Sequence, residues 1–223
     1  MNDLSQSEFD AQFADKAFNI SFLNMTRIPL KYRDIALIDK PRKWEMQIYN
    51  DARLFCNQYS KLKRNDPAFH SAFIIEGDKR VGKTHLACAM LRYLITGNKR
   101  RVLGYFINAC SLGLQFERAK RDFNIQYVDL IKDLVQPEIL CLDDLHTFPF
   151  DEWADKLYDL VNERIERNKG FIITTDVPMK KYLDGFMDLK TRNMIDRIIR
   201  RLREMTGMEK SGAGISYVME GEK

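Results

Sequence analysis

The chain has 223 residues, 45% hydrophobic and 30% charged, which is room for one or two domains and excludes a chain disordered throughout. No run reaches the roughly 18 apolar residues of a membrane span. The acidic start MNDLSQSEFD lacks the apolar stretch of a secretory signal, so the expected location is the cytoplasm, away from membranes. A net charge of +4 is a mild basic excess and does not by itself imply nucleic acid.

Residues 1–30 differ from the rest. Ser5-Gln-Ser-Glu8 is a capping box, with Phe9, Phe13 and Ala17 following at helical spacing. Two readings stand: a short helix packed on its own domain, or a detachable helix whose Phe9, Phe13 and Phe18 fit a partner's groove. Between residues 44 and 62, Trp44, Ile48, Ala52, Phe55, Tyr59 and Leu62 form one apolar stripe at steps of three and four. Lys61, Lys63 and Arg64 close that helix, and Asn65-Asp66-Pro67 breaks it.

From residue 70 the pattern alternates. Strands are expected at Ala72–Ile75, Val102–Ile107, Ile139–Leu142 and Phe171–Thr174, and an edge strand at Ile215–Met219. Helices are expected at Thr84–Ile95, Leu112–Asp122, Ile125–Val135, Glu152–Asn168 and Thr191–Met205. This alternation predicts a parallel sheet covered by helices on both faces. Cys56, Cys88, Cys110 and Cys141 have no CxxC spacing and read as small buried hydrophobes. His70, His85 and His146 show no metal-ligand spacing.

Gly77-Asp-Lys-Arg-Val-Gly82-Lys83-Thr84 fits GxxxxGK[ST] at every fixed position. The glycines let backbone N–H groups wrap phosphates, Lys83 supplies a cation to the β- and γ-phosphates, and the Thr84 hydroxyl suits Mg²⁺. The helix that begins there turns its positive end toward the anion. A strand before and a helix after give the motif its required context.

Ile139-Leu-Cys-Leu-Asp143-Asp144 is an apolar strand that ends in two carboxylates, placed beside the phosphate loop at the sheet's carboxyl edge. Asp143 is the expected Mg²⁺ holder, and Asp144 the group that polarises an attacking water. Thr174-Thr175-Asp176 ends the next strand, where Asp176 is positioned to sense the γ-phosphate; a plain turn before Pro178 also explains it. Arg197-Ile-Ile-Arg200-Arg201-Leu-Arg203 has an apolar face of Ile195, Ile198, Ile199 and Leu202. Its arginines form either a solvated or nucleic-acid-facing surface, or an arginine finger offered to a neighbouring subunit.

The order of these motifs resembles the AAA+ ATPases of the DnaC/DnaI helicase-loader and IstB group, over roughly residues 27–219. Arg27-Ile-Pro-Leu-Lys-Tyr-Arg33 resembles the lead-in of that group. Glu152-Trp153, Leu157-Tyr158, Val161-Asn162-Glu163-Arg164 and Ile172-Ile173-Thr174-Thr175 resemble its second conserved block. The resemblance implies a P-loop NTPase sheet of AAA+ type without a separate lid domain. It divides the chain into an arm (1–30), a helical lead-in (31–66) and an ATPase domain (67–223). It implies ATP and Mg²⁺ as cofactors, with Gly77, Val81, Gly82, Lys83, Thr84 and His85 on the nucleotide and Thr84 and Asp143 on the metal. It places the finger on Arg201, with Arg197 second. The family usually has Asn where Asp176 stands.

The implied function is loading of a hexameric replicative DNA helicase onto single-stranded DNA by an ATP-bound homo-oligomer, with slow hydrolysis to ADP and phosphate. Arg118, Lys120 and Arg121 would face the DNA strand, and Phe9, Phe13 and Phe18 the helicase. The alternatives are a DnaA-related regulatory ATPase and an IstB-like transposition helper.

Overall fold

The computed structural model describes residues 26–37, 46–61, 71–97, 102–121, 126–185, 188–206 and 216–219. Its centre is a five-stranded sheet: β1 (Ala72–Gly77), β2 (Gly104–Asn108), β3 (Ile139–Asp143), β4 (Gly170–Thr175) and β5 (Ser216–Met219). The spatial order is β2-β3-β4-β1-β5, and every pairing is parallel. The helices are α1 (Met46–Lys61), α2 (Lys83–Thr96), α3 (Ala109–Arg121), α4 (Gln126–Val135), α5 (Phe150–Glu166) and α6 (Leu189–Thr206).

The strands read as continuous apolar runs because both faces are covered. Alternation along β1 sends Phe73 and Ile75 to one side and Ala72 and Ile74 to the other. The first side packs on α1 and α2. There Ile48, Ala52, Phe55 and Tyr59 of the predicted stripe are buried, and α2 buries residues around most of its circumference. Trp44 and Leu62 lie outside the described residues. The second side carries α3, α4, α5 and α6, with Leu157, Leu160, Val161, Ile195, Ile198 and Leu202 in one cluster with Ile74, Leu142 and Ile173.

The lead-in is bound to this core. Ile28 and Leu37 are buried among α1 and α2 side chains, and the Thr26 carbonyl accepts from the Phe106 N–H at 2.7 Å along the outer side of β2. Cys56, Cys88 and Cys141 are buried thiols, and burial pushes all three well above the ordinary thiol value; Cys110 is exposed. No described helix is long and apolar enough to cross a membrane.

Two boundaries differ from the sequence expectation in an instructive way. The second strand begins at Gly104 rather than Val102 and runs on to Asn108, so its last residue is polar and sits level with Asp143 of β3. The helix expected from Leu112 begins at Ala109, directly off that strand end.

Candidate functional site

Strand order decides what meets at the carboxyl edge. Because β4 lies between β1 and β3, the ends of these three strands bring Gly77, Asp143 and Thr174–Asp176 together. A crevice outside the carboxyl ends of parallel strands is where open α/β sheets bind ligands.

The loop from Gly77 to α2 needs backbone angles that side chains resist. Gly77 has φ 152° and Gly82 φ 103°. Gly82 stands at the N-cap of α2, and no side chain caps this end. The first-turn N–H groups of a helix have no intrahelical acceptor, so they are donors aimed outward, with the positive end of the helix behind them. This arrangement, a buried lysine and a hydroxyl beside a carboxylate are a donor set that fits a magnesium–nucleotide phosphate.

Lys83 is 5% exposed. Its Nζ donates to Gly77 O at 2.9 Å and Asp78 O at 2.6 Å, and pairs with Asp176 Oδ1 at 2.7 Å. The Thr84 hydroxyl donates to Asp143 Oδ1 at 2.9 Å, and the Thr174 hydroxyl donates to the same oxygen at 2.6 Å. Burial raises the Asp143 carboxyl above its ordinary value, and Asp144 adds to this; the Thr174 and Thr84 hydroxyls and Lys83 pull the other way.

Asp144 takes a left-handed conformation, φ 55° and ψ 51°. Such a residue costs about 1 kcal/mol or more unless its surroundings hold it. Here its N–H donates to Thr174 Oγ1 at 2.8 Å and its carbonyl accepts from the Thr147 N–H at 2.8 Å. Its carboxylate Oδ2 accepts from Asn108 Nδ2 at 3.4 Å. The strand thus turns sharply after Asp143, separating the two carboxylates into a buried one and a half-buried one.

Asp176 bridges Lys83 and His146. Its Oδ2 lies 3.4 Å from His146 Nε2, and its own N–H donates to His146 Nδ1 at 3.2 Å. One ligand atom from each of Asp144, His146 and Asp176 falls within 4.8 Å of the others, a grouping that sequence spacing did not reveal.

The remaining expected residues are placed elsewhere. Val81 in the loop and His85 just after it are half-buried, and the His85 ring meets Tyr32 of the lead-in edge-on at 6.4 Å between centroids. Arg201 on α6 is 45% exposed and pairs with Glu204 at 3.0 Å, beside Tyr158. Arg197 is exposed on the same helix. On α3, Arg118 is exposed, Arg121 is paired with Glu117, and Lys120 lies 5.4 Å from the centre of the Trp153 ring. Phe9, Phe13 and Phe18 lie outside the described residues.

Four residues escaped the sequence reading, three at this edge and one at the far one. Asn108 carried a signal, a polar residue closing an apolar strand run, the same signal that marks Asp143. Glu76, buried on β1, accepts the Met179 N–H at 2.9 Å and ties the 179–185 turn to the sheet. His146 has no local signal, because its partner comes from another strand. Arg164 was seen only as part of a resemblance; it is fully buried under the opposite sheet edge.

The family described as IstB-like ATP binding protein matches residues 67–211, more than half of the chain. An insertion sequence IS232 ATP-binding protein of Bacillus thuringiensis subsp. berliner is 31% identical over 125 residues, 55% of this chain and 48% of that protein. The chain therefore spans about half the length of this curated relative. The crystal structure of DnaI superposes with a TM-score of 0.67 at 18% identity, covering 87% of this chain and 95% of that one. The DnaC helicase loader gives 0.58 at 18% identity, with 87% and 100% covered. Domain III of the Thermotoga maritima replication initiation protein DnaA gives 0.59 at 17%, with 88% and 69% covered. At these identities the likeness is one of fold. By the family match, and with this sheet order and loop, the chain belongs to the IstB-like ATP-binding protein family and has the AAA+ architecture shared with DnaC and DnaI.

Proposed function

We propose that this chain binds and hydrolyses Mg²⁺–ATP, and that ATP-bound subunits associate to act on DNA. The observation that carries this reading is the convergence of Lys83, Thr84, Asp143 and Asp144 at one sheet edge, against the uncapped start of α2. The backbone of 77–82, Val81 included, would hold the nucleotide, with His85 alongside. Lys83 would take the terminal phosphates, and Thr84 and Asp143 the metal, whose charge supplies phosphate neutralisation when bound. Asp144, in contact with Asn108, would polarise the attacking water. Arg201 would reach the neighbouring subunit's phosphates from exposed α6, leaving Glu204 to do so.

The client proposed is a hexameric replicative helicase, passed onto single-stranded DNA that runs along Arg118, Lys120 and Arg121 of α3, with Phe9, Phe13 and Phe18 as the helicase contact. The insertion-sequence relative favours a second reading, a transposition helper that acts on duplex DNA with a transposase. Nucleotide titration of the wild type and Lys83→Ala tests the shared core: binding by the first and its loss from a folded second are expected. Co-purification with the host replicative helicase supports the loader. ATP-dependent binding to duplex and transposase, with no helicase captured, supports the helper instead.

A further inference from the structure

A lysine ammonium has three N–H donors, and all three of Lys83 are engaged, by Gly77 O, Asp78 O and Asp176 Oδ1. A phosphate oxygen that takes Lys83 has to displace one of them. The two carbonyls are neutral parts of the loop; the third partner is a carboxylate, which a phosphate repels. Asp176 is also 16% exposed and follows the last residue of β4, so its side chain can turn about its own bonds where the loop carbonyls are fixed by the backbone.

The other oxygen of that carboxylate already touches a second group. His146 Nδ1 accepts the Asp176 N–H, which assigns the imidazole proton to Nε2, the nitrogen 3.4 Å from Asp176 Oδ2. That nitrogen has a donor to offer and no lone pair, so the Asp144–His146–Asp176 grouping is built as a hydrogen-bonding seat rather than as a cation site. An asparagine at 176 would offer N–H donors to a phosphate. An aspartate offers none.

We propose that Asp176 is a displaceable phosphate mimic on Lys83, so that phosphate entering the loop breaks the Lys83 contact and draws the carboxylate fully onto His146, which it already touches at 3.4 Å. The γ-phosphate is then sensed by displacement rather than by a donated hydrogen bond. Affinity for nucleotide is set by the difference between the two contacts: what strengthens the Lys83 contact weakens binding, and what strengthens the His146 contact favours it. The movement also reaches the loop after β3, since His146 sits in the short turn Leu145–Thr147 that follows Asp144. This inference rests on the reading of 77–84 as the nucleotide site.

The test is calorimetric titration of Mg²⁺–ATP into the wild type, Asp176→Asn, His146→Ala and the double variant, with folding checked by circular dichroism. Asp176→Asn is expected to bind about tenfold more tightly, the scale of one charge-assisted contact no longer displaced. His146→Ala is expected to bind severalfold more weakly, and to have no effect once position 176 is Asn, because the cycle then has no carboxylate to reseat. Unchanged or weaker binding by Asp176→Asn overturns the proposal, as does a His146 effect of equal size in both backgrounds. If Asp176→Asn does not fold, Asp176→Ser is titrated in its place under the same criteria. A folded wild type that binds no nucleotide, or a Lys83→Ala variant that binds as well as the wild type, overturns the nucleotide-site reading itself and is distinguishable from either result.

Discussion

The Asp143 carboxylate is 5% exposed and accepts from two hydroxyls, yet burial still raises its pKa above the ordinary value. For an acid raised on folding, the native state binds the proton more tightly than the unfolded chain. Stability therefore falls as pH rises from the unfolded pKa through the raised native one, and the ionised group opposes folding at neutral pH. Asp143→Asn should raise the melting temperature of the ligand-free protein at pH 7, and the gain should shrink as pH is lowered through that window. Equal melting temperatures at pH 7, or a gain that grows in acid, would count against it. Asp144 is half-buried; its N–H donates to Thr174 Oγ1 and its carbonyl accepts from the Thr147 N–H. Asp144→Asn should keep Mg²⁺–ATP affinity within about threefold, and lower turnover by about 10²-fold or more, the range of a general base. Paired titration and phosphate-release assays read the two effects apart.

At the scale of elements, Arg164 shows how the far edge of the sheet is closed. Its guanidinium donates to the carbonyls of Leu134 at 2.5 Å, Pro137 at 3.2 Å, Glu138 at 3.4 Å and Gly170 at 2.6 Å, and packs 4.8 Å from the centre of the Phe171 ring. One side chain on α5 thereby satisfies the last turn of α4, the approach to β3 and the start of β4. Burial lowers its pKa to about 9, which leaves it charged at neutral pH, balanced by carbonyl dipoles. Removing it takes a charged donor from four carbonyls and leaves its buried place empty. Arg164→Ala should cost about 3–5 kcal/mol, and Arg164→Lys should recover little of this, because a point charge cannot span a planar fork of acceptors. Urea unfolding midpoints measure both; a loss below about 1 kcal/mol for the alanine variant would contradict the role. The same logic explains why a strongly apolar α2 tolerates Lys83 at its start: the lysine stands at the sheet's open edge, not against α1.

For the whole molecule, the question is whether one chain completes its own site. Arg201 lies on α6, exposed and paired with Glu204, so the proposed place at a phosphate would need a second subunit. Arg201→Ala should bind ATP normally as a subunit and lose ATPase activity in the assembly, by about 10³-fold if it resembles the weaker of the strong trans-acting arginines. Mixing Arg201→Ala with Lys83→Ala should restore part of the rate, since one contributes the ATP site and the other the arginine. Mixed oligomers that form and remain as slow as both parents would exclude the trans role. On α3, Lys120 is committed to Trp153 and Arg121 to Glu117, so Arg118 carries the freest charge of the three expected on DNA. Arg118→Ala should therefore weaken single-stranded DNA binding more than Arg121→Ala, with a shallower salt dependence, as fluorescence anisotropy would read.

Some of this was determined by sequence alone. The loop 77–84 is legible because its chemistry is local: eight consecutive residues supply the glycine angles, the lysine and the hydroxyl. The buried faces of α1, α5 and α6 are legible because 3.6-residue periodicity reports which side a helix hides. The paired carboxylates are legible because a strand buried on both faces announces its end by turning polar. The strand order is different. Periodicity says which face is buried but not which strand lies alongside, and only the placement of β4 between β1 and β3 puts Asp176 on Lys83 and within reach of His146. The Arg164 contacts are of the same kind, since carbonyls of 134–138 and of Gly170 converge on one α5 side chain only when two helices and two strands have packed. Contacts between charges depend on separation in space, which the tertiary structure alone decides.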